Sequence, residues 1–217
     1  EMGVDTIELD IYRAKDGALV VMHDHKVERT TNGAGAVANM TLAEIKKLDA
    51  GVKFDEKYQG EQVPTLMQVL DWAKDRIQLL IEIKGYPQPA DGIEEELLSQ
   101  IVDANMVNQV LIKSFFHDSV RQIRALSAEV ATGILYASAL SNPVAIAQAV
   151  GANSLRNLHC YWTENAVIAA RKAGLQVSAW GVNDKSALER VVNLGLDSFG
   201  TDRISMALTF LRERSLR

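Results

Sequence analysis

Apolar and polar residues alternate with a period of two in several short runs of this chain. In "DTIELDI" the side chains of Ile7, Leu9 and Ile11 share one face of a strand, and Glu8 and Asp10 share the other. In "IQLLIEIKG" Leu79, Ile81 and Ile83 stand opposite Glu82 and Lys84 in the same way. Further strand candidates are "QVLIKSF", "VATGILYA", "ANSLRNL", "LQVSAWGV" and "LDSFGTD". From the second strand onward a helical stretch follows each of them, and several helix starts are marked. Asp118 precedes "SVRQIRAL", and Asn142-Pro143 opens "VAIAQAV" with proline in the first turn. Thr163 caps "ENAVIAARKA", which Gly174 stops, and Asp184 caps "KSALERVVNL", which Gly195 ends. Strands recurring every 20–30 residues or so with helices between them predict a parallel sheet with helices outside.

Between the first and second strands lie about 70 residues, too many for one crossover. Lys15-Asp16-Gly17 marks a hairpin turn, and the polar loop "RTTNGAG" follows. Thr41 to Glu44 is a capping box ahead of "IKKLDAG", and Thr65 to Gln68 is a second ahead of "VLDWAKD". The second helix is the ordinary crossover, so residues 14–63 or thereabouts are expected to be an insertion after the first strand. With no Pro/Gly/Ser linker, residues 1–217 are expected to form a single domain of the (β/α)8 barrel class. Seven barrel strands are visible where a closed barrel has eight. The missing one is expected upstream, because the chain opens in the middle of a pattern at "EMGVDTIELD".

Composition removes several functions. The net charge is −5 with no basic run or interleaved aromatic-basic patch, which excludes nucleic acid as an expected partner. The lone Cys160 rules out an internal disulfide framework and a cysteine-rich zinc site, and it is expected to be a buried small hydrophobe. No stretch approaches a membrane span. A soluble, cytoplasmic domain is therefore the expectation, with an upstream signal or membrane segment left open, as is the oligomeric state.

Alone, the carboxylate face of the first strand reads equally as a solvated surface, and Glu82–Lys84 as a structural ion pair. In a barrel, however, both strands end at one mouth. Three carboxylates meeting there repel one another unless a cation sits among them, and all-oxygen ligation suits Mg²⁺ or Ca²⁺. A divalent ion beside Lys84 suits a phosphate. His23, at the end of the second apolar run of the hairpin, is the acid/base candidate because imidazole titrates near neutrality. By strand alternation His25 should face away from it. His117 and His159 read as packing or capping residues. Trp180, at a strand end on the same rim, is either core filling or a wall of the substrate site.

The ordered set "GVDTIELDIYRAKDGALVVMHD", "ERTTNGAGAV", "LDAGVKFDEKYQGEQVPTL", "LLIEIKG", "SFFHDS", "AWGVND" and "GTDR" resembles the glycerophosphodiester phosphodiesterase family, and the likeness runs from the first residues to about Arg203. The resemblance implies a TIM barrel that cleaves small-molecule glycerophosphodiesters to sn-glycerol 3-phosphate and an alcohol. By it, Glu8, Asp10 and Glu82 match the ligands of one divalent cation, and His23 matches one of two catalytic histidines. Lys84 matches a phosphate-side lysine, and Trp180 the tryptophan of a W-x-V-N signature. Here the second position of that signature is Gly181, where threonine is common. The larger departure is the absence from this sequence of the family's opening His-Arg-Gly, which supplies the other histidine and a phosphate-binding arginine. It coincides with the missing strand, and a fragment of a longer protein is the expectation. The resemblance also suggests attack by a glycerol hydroxyl through a cyclic phosphate, with direct attack by water left open. Two alternatives stand beside it: a phosphodiesterase of the phospholipase C or sphingomyelinase D kind, and a silent barrel that binds metal or ligand without cutting.

Overall fold

In a computed structural model, residues 2–216 are described. The strands are β1 (Thr6–Arg13), β2 (Leu19–Val21), β3 (Gln78–Ile83), β4 (Val110–Ser114), β5 (Ala131–Tyr136), β6 (Ser154–Leu158), β7 (Gln176–Trp180) and β8 (Ser198–Phe199). Helices α1 (Leu42–Ile45) and α2 (Leu66–Ala73) lie between β2 and β3. Each later strand is followed by one helix: α3 (Ile93–Asp103), α4 (His117–Leu126), α5 (Pro143–Ala149), α6 (Glu164–Lys172), α7 (Lys185–Asn193) and α8 (Ile204–Glu213). The sheet runs β2-β1-β3-β4-β5-β6-β7-β8. Its pairs are parallel from β1 to β8, and β2 alone is antiparallel, on the outer edge of β1. Among the described residues β8 pairs only with β7, so the curled sheet stays open between β8 and the β1–β2 edge. This is the α/β barrel architecture that the strand–helix rhythm predicts, with seven parallel strands among the described residues and a hairpin arm as the eighth.

The period of two sets the two faces. Leu9, Ile11, Leu79, Ile81, Ile83 and Ile112 are buried against Leu66 and Leu70 of α2 and Leu97 and Ile101 of α3. A second cluster on the far side packs Ile134, Leu155 and Val177 against Val167, Leu188 and Phe210 from the later helices. Each fully buried aliphatic contributes about 1.5–3 kcal/mol by leaving water. The opposite face looks into the barrel and is polar: Glu82, Lys113, Ser154, Arg156 and Ser178 are buried there.

Most predicted caps are present. Thr41 and Thr65 each close a full capping box, although α1 extends for only four residues. Asn142, Thr163 and Asp184 each accept a backbone N–H at a helix start. Asp118 is a correction. Helix α4 begins at His117 behind an extended Phe116, which places Asp118 in the first turn, where it suits the helix dipole and pairs with Arg121. His117 fixes that start by donating its Nε2–H to the Leu135 carbonyl at 2.8 Å. Cys160 is a second correction. It is exposed on the short turn His159–Tyr161, whose neighbour Trp162 takes the buried place instead. No helix of the described residues is long and apolar enough to cross a membrane.

The segment after β1 closes on its own small core of Val20, Met22, Val27, Val37, Ile45 and Val63. The Lys15-Asp16-Gly17 turn is as predicted, with the Gly17 N–H donated to the Ala14 carbonyl at 3.0 Å and Gly17 at φ +93°. Asp16 also accepts the Leu42 N–H at 2.9 Å, tying the hairpin to α1.

Candidate active site

Register brings the charged residues together. Asp10 pairs with Glu82 across β1 and β3, and Glu82 pairs with Lys113 across β3 and β4. With the period of two, Glu8, Asp10 and Glu82 therefore meet on the inner face, and one carboxylate oxygen from each lies within 4.8 Å of the others. Lys84, just past the end of β3, places its Nζ 3.1 Å from Asp10 Oδ1 and 2.6 Å from Glu82 Oε1. Lys113 Nζ is 2.7 Å from Glu8 Oε1 and 3.4 Å from Glu82 Oε2. Lys113 escaped the sequence reading because one lysine in "VLIKS" has no carboxylate near it in the chain. Its alternation parity was the available signal.

The electrostatics are those of a crowded acidic site. Burial first, and then the neighbouring Glu8 charge, push the Asp10 carboxyl up to about 6, even though Lys84 pulls the other way. Burial would lower the Lys84 ammonium, but the Glu82 and Asp10 carboxylates outweigh it and hold the pKa above its ordinary value. Two ammoniums against three carboxylates leave an excess of negative charge. Hard oxygen donors in that state fit a divalent cation such as Mg²⁺ or Ca²⁺.

Lys84 also lines a cavity of about 630 Å³, together with Tyr12, His23, Asp24, His25 and Arg29. His23 Nδ1 is 2.6 Å from Asp24 Oδ1. Arg29 grips the same carboxylate with Nε at 2.5 Å and a second nitrogen at 2.9 Å. Hydrogen bonds from Arg29 and then from His23 hold the Asp24 carboxyl well below the usual carboxylate range. His25 does not face away, because β2 ends at Val21 and strand alternation no longer applies. It lines the same cavity and stacks on Tyr86, with ring centroids 4.0 Å apart.

Trp180 ends β7, and Phe115 meets its ring edge-on at 6.0 Å. Its indole nitrogen is buried and has no partner among the described residues. Gly181 follows at φ +72°, a backbone conformation that suits glycine in the position where the family signature commonly has threonine.

Residues 1–206 match the model of the glycerophosphoryl diester phosphodiesterase family. The chain belongs to this family. A glycerophosphodiester phosphodiesterase of Caldanaerobacter subterraneus subsp. tengcongensis is 40% identical over 214 residues, covering 98% of this chain and 88% of the relative. One from Bacillus subtilis is 34% identical over 223 residues, covering 93% of this chain and 75% of its own length. Among solved structures, an Oleispira antarctica phosphodiesterase in complex with the product sn-glycerol-3-phosphate superposes with a TM-score of 0.85 at 28% identity, over 96% of this chain and 85% of that one. A glycerophosphodiester phosphodiesterase from Agrobacterium tumefaciens gives 0.81 at 26% identity, over 95% and 87%. Family membership and a shared barrel thus agree with the ordered motifs.

Proposed function

We propose that this chain hydrolyses glycerophosphodiesters to sn-glycerol 3-phosphate and an alcohol in a reaction that depends on one divalent cation. The observation that carries the reading is Lys84. One ammonium touches two members of the carboxylate triad and also lines the cavity that holds His23, so the acidic cluster and the acid/base candidate serve one space.

In this reading Glu8, Asp10 and Glu82 hold the cation, which when bound polarises a phosphoryl oxygen. Lys84 balances the remaining phosphate charge. An oxygen of water, or of a glycerol hydroxyl with water opening the cyclic phosphate afterwards, forms the new phosphorus–oxygen bond and gives its proton to solvent. As the old bond breaks, His23 delivers a proton to the departing alkoxide. Trp180 and Phe115 give the mouth an apolar wall against which the carbon chain of the substrate rests. The substrates named for the family are small phosphodiesters, and a cavity of about 630 Å³ accommodates one.

The test is release of glycerol 3-phosphate from glycerophosphoethanolamine with Mg²⁺, with Ca²⁺ and with EDTA. Release with one or both ions and its loss in EDTA is the expected result. Release unaffected by EDTA would remove the cation from the reading, and no release with either ion would remove the activity.

Lys113→Met tests the triad separately. With the Lys113 ammonium gone, Glu8 and Glu82 repel without a shared counter-charge. Removing one partner of a buried ion pair costs about 3–5 kcal/mol. In thermal unfolding the metal-free variant should therefore melt lower than the parent, and Mg²⁺ or Ca²⁺ should raise its midpoint by more than it raises the parent's. Equal metal-induced shifts would show that Lys113 and the ion do not share carboxylates.

A further inference from the structure

We propose that Asp24 and Arg29 are a positioning pair for His23: Asp24 fixes the imidazole with its proton on Nδ1 and Nε2 left for the substrate, and Arg29 fixes Asp24. The inference rests on the reading of His23 as the proton donor to the leaving group. The geometry starts with a backbone bend. Adjacent residues in a strand point to opposite faces, so His23 and Asp24 could not touch if β2 continued. The strand stops at Val21, the Met22 N–H still reaches across to the Asp10 carbonyl at 2.9 Å, and the backbone bends immediately after it, over residues 23–25. The two side chains then meet at 2.6 Å.

An ionised carboxylate can only accept, so the hydrogen bond assigns the proton to His23 Nδ1. Nε2 has no hydrogen-bond partner among the described residues, and His23 lines the cavity it shares with Lys84. Arg29 reaches back across five residues and takes both oxygens of Asp24, which leaves that carboxylate one orientation. Its loop is anchored by the Val27 N–H donated to the Gly35 carbonyl at 3.1 Å and the Thr31 N–H to the Val27 carbonyl at 3.0 Å.

Stability does not explain the arrangement. The His23 and Arg29 side chains are 62% and 60% exposed, and ion pairs in that setting contribute little to folding. A chain of imidazole, carboxylate and guanidinium at the edge of a cavity is instead the arrangement that selects a tautomer and orients a general acid. The other charged or titratable groups lining the same cavity are Tyr12, His25, Lys26, Glu28 and Lys84, and none of them has a hydrogen bond to the His23 ring.

The test uses Asp24→Asn and Arg29→Gln in the full chain, with two readouts. In steady-state kinetics Asp24→Asn should lower kcat by about 10²-fold or more with KM within about twofold, the pattern of a lost orienting group, and Arg29→Gln should lower kcat by about tenfold with KM likewise kept. A purely structural role would lower stability and leave the ring tautomer as it is. In nitrogen-15 spectra of the imidazole, neutral His23 should be the Nδ1–H tautomer in the parent and a mixture in Asp24→Asn. Parent-like turnover in Asp24→Asn or in Arg29→Gln, or an Nε2–H tautomer in the parent, would each overturn the pair. If the parent itself releases no glycerol 3-phosphate, the proposed reaction fails, and the tautomer measurement still decides whether Asp24 sets the ring.

Discussion

His23→Ala is expected to lower turnover of glycerophosphoethanolamine by about 10²–10⁴-fold, the range attributable to one positioned acid or base. The same variant should keep the rise in melting temperature that Mg²⁺ or Ca²⁺ gives the parent chain. Both halves follow from position. The His23 side chain is 62% exposed and, among the described residues, bonds only to Asp24, so the fold does not depend on it. It is not one of the three carboxylates whose oxygens converge, so ion binding does not depend on it either. The measurement is kcat with a good and a poor leaving alcohol, beside a thermal scan with and without the ion. A proton donor matters most when the alkoxide is hard to expel, so the poor leaving group should suffer the greater loss. Turnover within a few-fold of the parent on both substrates would exclude His23 as the acid.

Glu82→Gln should have the opposite profile and a larger reach. Glu82 is 4% exposed and is the residue on which Lys84 and Lys113 both close, at 2.6 and 3.4 Å. Taking its charge away leaves two buried ammoniums sharing Glu8 and Asp10. The cost for one broken buried pair is about 3–5 kcal/mol, which in a chain of this size corresponds to a melting point lower by about 10 °C. Turnover should fall below detection, and the stabilisation by Mg²⁺ or Ca²⁺ should vanish with it. Glu8→Gln provides the contrast, because that side chain is 43% exposed. It should lose the ion response with a much smaller fall in stability. If Glu82→Gln melts lower but still responds to the ion as the parent does, Glu82 is a structural ion-pair partner and not a ligand.

The triad was legible in the sequence because a strand has an exact period and two strands carried carboxylates on the same parity. Once β1 and β3 are parallel neighbours, Glu8, Asp10 and Glu82 have nowhere to be but together. Caps were legible for a similar reason: Thr65, Asn142, Thr163 and Asp184 act on backbone three residues away. What depended on long-range register or on irregular backbone was not. Lys113 joins the site only through its pairing with Glu82. His25 was misplaced by extending alternation beyond the last residue of β2, and Arg29 reaches Asp24 through a loop that has no period to read. Cys160 was assigned by residue type, whereas the short turn on which it sits decides its exposure.

In the proposed reaction, the two lysines among the three carboxylates would also impose an order of events. With all five groups ionised, the cluster carries one net negative charge. A phosphodiester monoanion arriving first is repelled. With a divalent cation held by Glu8, Asp10 and Glu82, the cluster would carry a single positive charge, which that monoanion would neutralise. The product phosphate monoester carries more charge than the diester it came from, and the same positive cluster attracts it more strongly. In the proposed hydrolysis, escape of the monoester product, more than entry of the diester, would therefore be the step that this arrangement of charges slows.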